Sequence, residues 1–286
     1  MENKIEKMEN NFVVVDEKEF NQKLERIKQE GFAKLHVLTD FDKTLTSAFV
    51  DGEDVPSLIS ILRRDGYLTE DYSGRAYALY DYYHPLEIDN TLPRLEKAQA
   101  MEEWWRKHFA LLIECGLERR DIEKAVQTRR VRLRSGAAEF LRGLQEKNVP
   151  IVIISAAGLG REGIELFLKE QGLLSDNIHI ISNSFSWNEN GKIIAVNEPV
   201  IHVLNKNEAA LKESQFYEEI KARPNVLLLG DSLEDIAMAE GLEHDTILKI
   251  GFLNKKVEEN LTAFKEVYDA VVLHDGDFEG VRKLIF

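Results

Sequence analysis

The stretch Leu35-His-Val-Leu-Thr-Asp40-Phe-Asp42-Lys-Thr44-Leu-Thr46 begins with an apolar run, Leu35 to Leu38, that stops abruptly at Thr39-Asp40-Phe41-Asp42. A short apolar run ending in a polar turn reads as a buried strand feeding a loop. Two later runs end the same way. Ile151 to Ile154 stops at Ser155 before a glycine-bearing turn, and Val226 to Leu229 stops at Gly230-Asp231-Ser232. Upstream, Phe20, Leu24 and Ile27 repeat at four and three and predict a first helix. Helical and strand periods that alternate in this way predict an α/β fold with a parallel sheet. Such sheets bind their ligands beyond the carboxyl ends of the strands, where backbone amides and helix N-termini converge.

Between Thr46 and Arg134 the pattern changes. No β-branched apolar run occurs, while Ala100 to Cys115 and Glu118 to Val131 predict amphipathic helices. Residues 48–134 are therefore expected as a helical insertion, with residues 1–47 and 135–286 forming the core. The aromatic stretch Tyr72 to Tyr83 and the tandem Trp104-Trp105 are expected mostly to pack the insertion's own small core. Asn190-Gly191, between Ile178 to Trp187 and Lys192 to Val203, predicts a hairpin turn.

Composition narrows the function. The 286 residues are 44% hydrophobic and 31% charged, which suits one large core with an insertion or two small modules. Lys and Arg number 37 against 51 Asp and Glu, a formal net charge of −14 that repels nucleic acid and anionic membrane. An anionic substrate must then be drawn in by local positive charge or a metal. Cys115 is the single cysteine, so no intramolecular disulfide forms, a thiolate zinc site is disfavoured, and a cytoplasmic location is expected. The N-terminal MENKIEKMENN holds no apolar stretch of signal length, and no apolar run is long enough to span a bilayer.

Asp40 and Asp42 converge on one point if the chain turns after the strand, where one carboxylate can attack and the other handle a proton. Thr44 and Thr46 add hydroxyls able to orient them. Asp231 and Asp235, four apart beside the capping residue Ser232, crowd like charges that a cation would join. An all-oxygen set favours Mg²⁺. Lys206 offers the fixed positive charge that a phosphate needs. Taken singly, each has a plain structural reading as a helix cap or a solvated lysine. Gly158 to Gly163 spells GxGxxG, but no acidic residue ends the next strand as a dinucleotide site requires. Arg129, Arg130, Arg132 and Arg134 form a basic cluster, expected to end the insertion's last helix or to pair with local carboxylates.

In order along the chain, Asp40-Phe-Asp42-Lys-Thr44, the strand ending in Ser155, Lys206 and Gly230-Asp231-Ser232-Leu-Glu-Asp235 resemble the four motifs of the haloacid dehalogenase superfamily of phosphatases. More narrowly, LTDFDKTLT (38–46), IHVLNK (201–206), LLLGDSLED (227–235) and LKIGFLN (248–254) resemble the cytosolic pyrimidine 5'-nucleotidase family, also called cytosolic 5'-nucleotidase III. The likeness runs from about Phe20 to the C-terminus.

That resemblance implies a Rossmann-like core with a helical cap inserted after the first motif. It implies a Mg²⁺-dependent enzyme that hydrolyses pyrimidine nucleoside 5'-monophosphates through an aspartyl-phosphate. Asp40 would be the nucleophile and Asp42 the general acid, then base. Ser155, Ala156 and Lys206 would hold the phosphate. Asp231, with Asp40 and the backbone carbonyl of Asp42, would bind Mg²⁺, supported by Asp235. Glu96 stands where the family's base-contacting glutamate does, and Phe49 offers a stacking ring. The turn Ser155-Ala156-Ala157-Gly158-Leu159-Gly160 carries one small residue more than the family's Ser-Ala-Gly-x-Gly. A phosphatase for a methylated purine nucleotide or phosphoserine is the same-chemistry alternative. A non-catalytic phosphate-binding module would be expected to lack one of Asp40, Asp42, Lys206 or Asp231. The expected partner is a small nucleotide and not a nucleic acid or membrane, with the chain a monomer or weak homo-oligomer.

Overall fold

The structure, a computed structural model, describes residues 11–89, 91–207 and 214–286. The first ten residues, which hold all of MENKIEKMENN but its last asparagine and open the expected core segment, lie outside the described residues. A short strand, β1 (Phe12–Val14), leads into α1 (Glu17–Glu30). Asp16 caps α1 by accepting the Glu19 amide at 2.9 Å, and the helix buries Phe20, Leu24 and Ile27. Strand β2 (Leu35–Thr39) is buried at every position, as its apolar run predicts. The chain then forms the antiparallel pair β3 (Phe49–Val50) and β4 (Glu53–Asp54), followed by α2 (Leu58–Arg64), α3 (Tyr72–Ile88), α4 (Arg94–Glu114) and α5 (Arg119–Gln127). It continues with α6 (Ala137–Glu146), β5 (Ile151–Ser155), α7 (Gly160–Glu170), β6 (Ile178–Ser182), β7 (Phe185–Trp187) and β8 (Ile193–Val196). Last come α8 (Tyr217–Lys221), β9 (Asn225–Gly230), β10 (Thr246–Leu253), α9 (Val257–Val267), β11 (Ala270–Leu273) and α10 (Glu279–Ile285).

Seven strands make one sheet in the order β1-β11-β10-β9-β2-β5-β6. All its pairings are parallel except β1 with β11, so the fold is α/β with a mostly parallel sheet. The neighbouring strands β9, β2 and β5 sit at its centre, fully buried, because their Val, Leu and Ile residues face packed layers on both sides. Their carboxyl ends deliver Asp231, Asp40 and Ser155 to one edge.

One apolar cluster crosses from sheet to insertion, joining Phe41, Leu45 and Ile164 to Leu58, Ile61, Phe109 and Ile122. Phe109 and Phe185 meet edge to face at 5.5 Å, which ties α4 to the β7–β8 hairpin.

The apolar period marks only part of the insertion. It finds α4 and α5, but α3 shows little segregation of its apolar residues and buries only Tyr72, Ala76 and Tyr83. The run Ile178 to Trp187 divides into β6, within the large sheet, and β7, which pairs with β8 around Asn190-Gly191. The break falls at Asn183, whose buried amide brackets Ile201, donating to its carbonyl at 2.9 Å and accepting its N–H at 2.8 Å.

Candidate active site

Beyond Thr39 the chain leaves the sheet with the Asp40 N–H still bonded to the Leu229 carbonyl at 3.0 Å, which holds Asp40 against β9. The loop then turns through Lys43, whose positive φ of 61° reverses the backbone. Thr46 Oγ1 accepts the Lys43 N–H at 2.8 Å. Thr46 therefore braces the loop backbone instead of orienting the carboxylates, and Thr44 Oγ1 does neither, being buried with no hydrogen-bond partner among the described residues.

Arg134 secures the same loop from below. Its side chain, 1% exposed, donates to the carbonyls of Lys43 and Thr44, and pairs with Asp275 at 2.8 Å. Asp275 in turn accepts the N–H groups of Ala48 and Phe49 at 2.8 and 3.0 Å. One ion pair, its arginine buried, thus grips the loop and both crossings into the insertion. The basic cluster does not end α5, which stops at Gln127; Arg130 pairs with Asp65, and Arg134 belongs to this clamp.

Asp231 follows β9, and Ser232 starts a 3₁₀ turn, Leu233–Ala239. Asp235 Oδ2 accepts the N–H groups of Asp231 and Ser232, both at 3.0 Å, which fixes the carboxylate at the turn's start. Its close approach requires Gly230, because a Cβ there would lie 2.5 Å from the Asp235 Cβ. Lys206 enters from the segment after the hairpin, and its Nζ lies 2.5 Å from Asp40 Oδ1 and 2.8 Å from Asp235 Oδ1. Carboxylate oxygens of Asp40, Asp231 and Asp235 lie within 4.8 Å of one another.

Burial pushes the Asp40 carboxyl up, Lys206 opposes it and Asp235 adds to it, leaving it at about 7. Burial, then the neighbouring Asp40 and Asp235, lifts Asp231 well above the ordinary carboxylate range. Burial also raises Asp42, against the pull of Lys43 and Lys206. Lys206 would be lowered by burial, but the two carboxylates outweigh this and keep its ammonium charged. Three crowded acids, two of them, Asp40 and Asp231, raised above the ordinary range, want a cation, and hard oxygen donors suit Mg²⁺.

These residues lie at one end of a cleft of about 710 Å³. Asp40, Asp42, Ser155, Ala156, Lys206, Asp231 and Asp235 all line it. So do Tyr80, Trp104, Trp105 and His108 from the insertion; Tyr72 and Tyr83 are buried in the insertion's packing, but Tyr77 and Tyr82 are exposed, so most of these rings do not fill its core as expected. The geometry does not bring in the two residues expected at the base. Glu96 is exposed in the first turn of α4 and outside the cleft lining, and Phe49 is held beneath Lys255, its ring 5.2 Å from Nζ. Glu87, which the sequence places in a family-like Glu87-Ile-Asp89 context, lines the cleft, and so do Arg63 and His84, which no sequence signal singled out.

Residues 43–286 match the family model described as pyrimidine 5'-nucleotidase (UMPH-1). The chain is 34% identical over 271 residues to a 7-methylguanosine phosphate-specific 5'-nucleotidase A from Xenopus laevis, covering 94% of this chain and 93% of that one. The crystal structure of cytosolic 5'-nucleotidase IIIB bound to cytidine matches with a TM-score of 0.88 at 29% identity, covering 97% of this chain and 93% of that chain. A phosphoserine phosphatase, solved as a phospho-aspartyl intermediate analogue, shares the fold with a TM-score of 0.53 at 21% identity, over 88% of this chain and 99% of its own.

Proposed function

Because the chain belongs to the pyrimidine 5'-nucleotidase (UMPH-1) family, and so is a phosphomonoester hydrolase of the haloacid dehalogenase type, we propose that it hydrolyses pyrimidine nucleoside 5'-monophosphates with Mg²⁺. The observation that carries this reading is the meeting of Asp40, Ser155 and Asp231 at adjacent strand ends with Lys206, beneath an aromatic-lined cleft.

In the reaction, an Asp40 carboxylate oxygen attacks phosphorus and the bond from phosphorus to the 5' oxygen breaks. Asp42, its carboxyl raised by burial, gives its proton to the leaving oxygen. The same carboxylate then takes a proton from the water that attacks the aspartyl-phosphate, releasing phosphate and restoring Asp40. Lys206 and Ser155 hold the phosphate oxygens, with the Ala156 backbone at the turn. Asp40, Asp231 and the Asp42 carbonyl would hold Mg²⁺, with Asp235 in support. Bound there, the ion offsets the charge of a phosphate dianion among carboxylates.

Residues 48–134 act as a cap that supplies the base side, and residues 1–47 with 135–286 as the core that handles phosphate. The reading includes a cytoplasmic enzyme: a relative from Caenorhabditis elegans carries a cytosolic 5'-nucleotidase name, and among the described residues no helix is long and apolar enough to cross a membrane. A second reading, hydrolysis of 7-methylguanosine phosphates, draws its support from the names of relatives such as the Xenopus laevis protein. Phosphate release from CMP, UMP, 7-methyl-GMP, phosphoserine and p-nitrophenyl phosphate, with Mg²⁺ and with chelator, tests the proposal. Turnover of CMP and UMP that vanishes with chelator is expected. Turnover confined to 7-methyl-GMP would transfer the assignment to the second reading, and none on any nucleotide would refute both.

A further inference from the structure

Arg63 on α2 is 8% exposed, yet among the described residues no hydrogen bond or salt bridge holds its guanidinium. Its Nε is buried without an acceptor, and the group rests over Tyr80 at 4.9 Å and Tyr77 at 5.5 Å. This occurs in a chain of net charge −14, where carboxylates are plentiful. Buried charges are normally paired, and a buried donor with no partner points to a ligand that supplies one.

The cleft's other charges sharpen the contrast. Glu87 is engaged by His84 Nδ1 at 3.1 Å, and Asp54 by Lys255 Nζ at 2.6 Å. Lys43, Arg64 and Lys256 add further positive charge to the lining. Away from the catalytic carboxylates, the acids of the cleft are thus spoken for while the cation on its aromatic wall is not. Trp105, in the same lining, also holds a buried indole N–H with no acceptor. Arginine and indole nitrogens donate only, so the matching ligand edge accepts.

Resting on the nucleotidase reading, we infer that Arg63 selects the base, receiving an uncharged edge that offers carbonyl or ring-nitrogen acceptors and repelling the cationic ring of 7-methylguanine. Cytosine presents such an edge through its 2-carbonyl and N3, and uracil presents carbonyls. Methylation of N7 removes an acceptor from guanine and makes the ring positive, so a buried unpaired guanidinium opposes it twice. The phosphate and its ester bond stay with the core residues, where Arg63 takes no part.

The test compares kcat/KM for CMP, UMP, 7-methyl-GMP, phosphoserine and p-nitrophenyl phosphate in the wild type, Arg63→Met and Arg63→Lys. Wild type is expected to favour CMP and UMP over 7-methyl-GMP. Arg63→Met should lose about tenfold or more on CMP relative to p-nitrophenyl phosphate, the size of a bidentate arginine contact, and less on UMP, whose carbonyl takes a single bond, and should narrow the preference over 7-methyl-GMP. Arg63→Lys should keep more of the bias against 7-methyl-GMP than of the activity on CMP, since it keeps charge but not the fork. Equal losses on every ester, or unchanged ratios, would overturn the role of Arg63 and leave the nucleotidase reading standing. A loss specific to phosphoserine would show that Arg63 receives a carboxylate. Wild-type turnover of p-nitrophenyl phosphate with none of any nucleotide would refute the nucleotidase reading itself. Should the variants not fold, calorimetry on the wild type decides: cytidine should bind more tightly than 7-methylguanosine, and the reverse order would overturn the inference.

Discussion

Lys206 Nζ lies 2.5 Å from Asp40 Oδ1, and the same ammonium holds Asp235, so one buried cation joins the loop after β2 to the turn after β9. Both carboxylates and the lysine are nearly excluded from solvent, and removing the cation leaves uncompensated buried charge. Lys206→Met should lose about 3–5 kcal/mol of stability in chelator, the range found for broken buried pairs. Mg²⁺ should raise its melting temperature more than that of the wild type, because the ion then replaces the lost charge. Thermal melts with and without Mg²⁺ measure both. An equal Mg²⁺ shift in the two proteins would contradict the electrostatic account of the site.

Asp42 sits in the cleft with its carboxyl raised by burial, as a proton donor needs. Asp42→Asn should lose at least about a hundredfold on CMP, whose leaving alkoxide must be protonated. The loss on p-nitrophenyl phosphate should be smaller in a single-turnover measurement of phosphorylation, since nitrophenolate leaves unaided. Equal losses would remove Asp42 as the acid.

Arg134 connects the loop after β2 to the insertion without lining the cleft. Arg134→Met should destabilise by about 1–3 kcal/mol, since the loop carbonyls of Lys43 and Thr44 lose their buried donor and half-buried Asp275 loses its charged partner, and should lower kcat more than it raises KM. A double variant with Asp275→Asn should recover part of the stability, because the unpaired charge goes too. Denaturant melts and steady-state kinetics on the set check this. Full activity in Arg134→Met would show that the loop holds its shape without the clamp.

His108 Nε2 bonds the Gly158 carbonyl at 3.1 Å, and burial pushes its pKa from 6.5 down to about 4. The folded state therefore resists a proton that the unfolded chain accepts. The contribution to stability is complete above pH 6.5 and is lost as pH falls toward 4. His108→Gln, which keeps an N–H donor, should show a shallower loss of stability across that interval in urea titrations. Parallel acid limbs in the two proteins would contradict the buried neutral imidazole.

Much of the core was legible because fully buried strands leave unbroken apolar runs, and Leu35 to Leu38, Ile151 to Ile154 and Val226 to Leu229 became β2, β5 and β9. The polar residues that end those runs sit together for the same reason: neighbouring parallel strands deliver their carboxyl ends to one edge. The base side was less legible. Helix α3 carries tyrosines all round, so periodicity could not separate Tyr83, which is buried, from Tyr80, which lines the cleft. Arg63 and Arg134 were hidden in a different way. A buried arginine has the same letter as a solvated one, and only the surroundings, unpaired for Arg63 and crowded with carbonyls for Arg134, distinguish them.

The most direct test of covalent catalysis is a rapid acid quench during turnover of CMP labelled with ³²P, followed by tryptic digestion. Cleavage after Lys34 and Lys43 releases the peptide of residues 35–43, which contains Asp40 and Asp42. Label on that peptide, sensitive to hydroxylamine, located at Asp40 and absent in Asp40→Asn, is the expected result. Asp40→Asn should also keep less than about a hundredth of wild-type turnover. Steady turnover with no label on residues 35–43, or label in the Asp40→Asn variant, would contradict the aspartyl-phosphate mechanism.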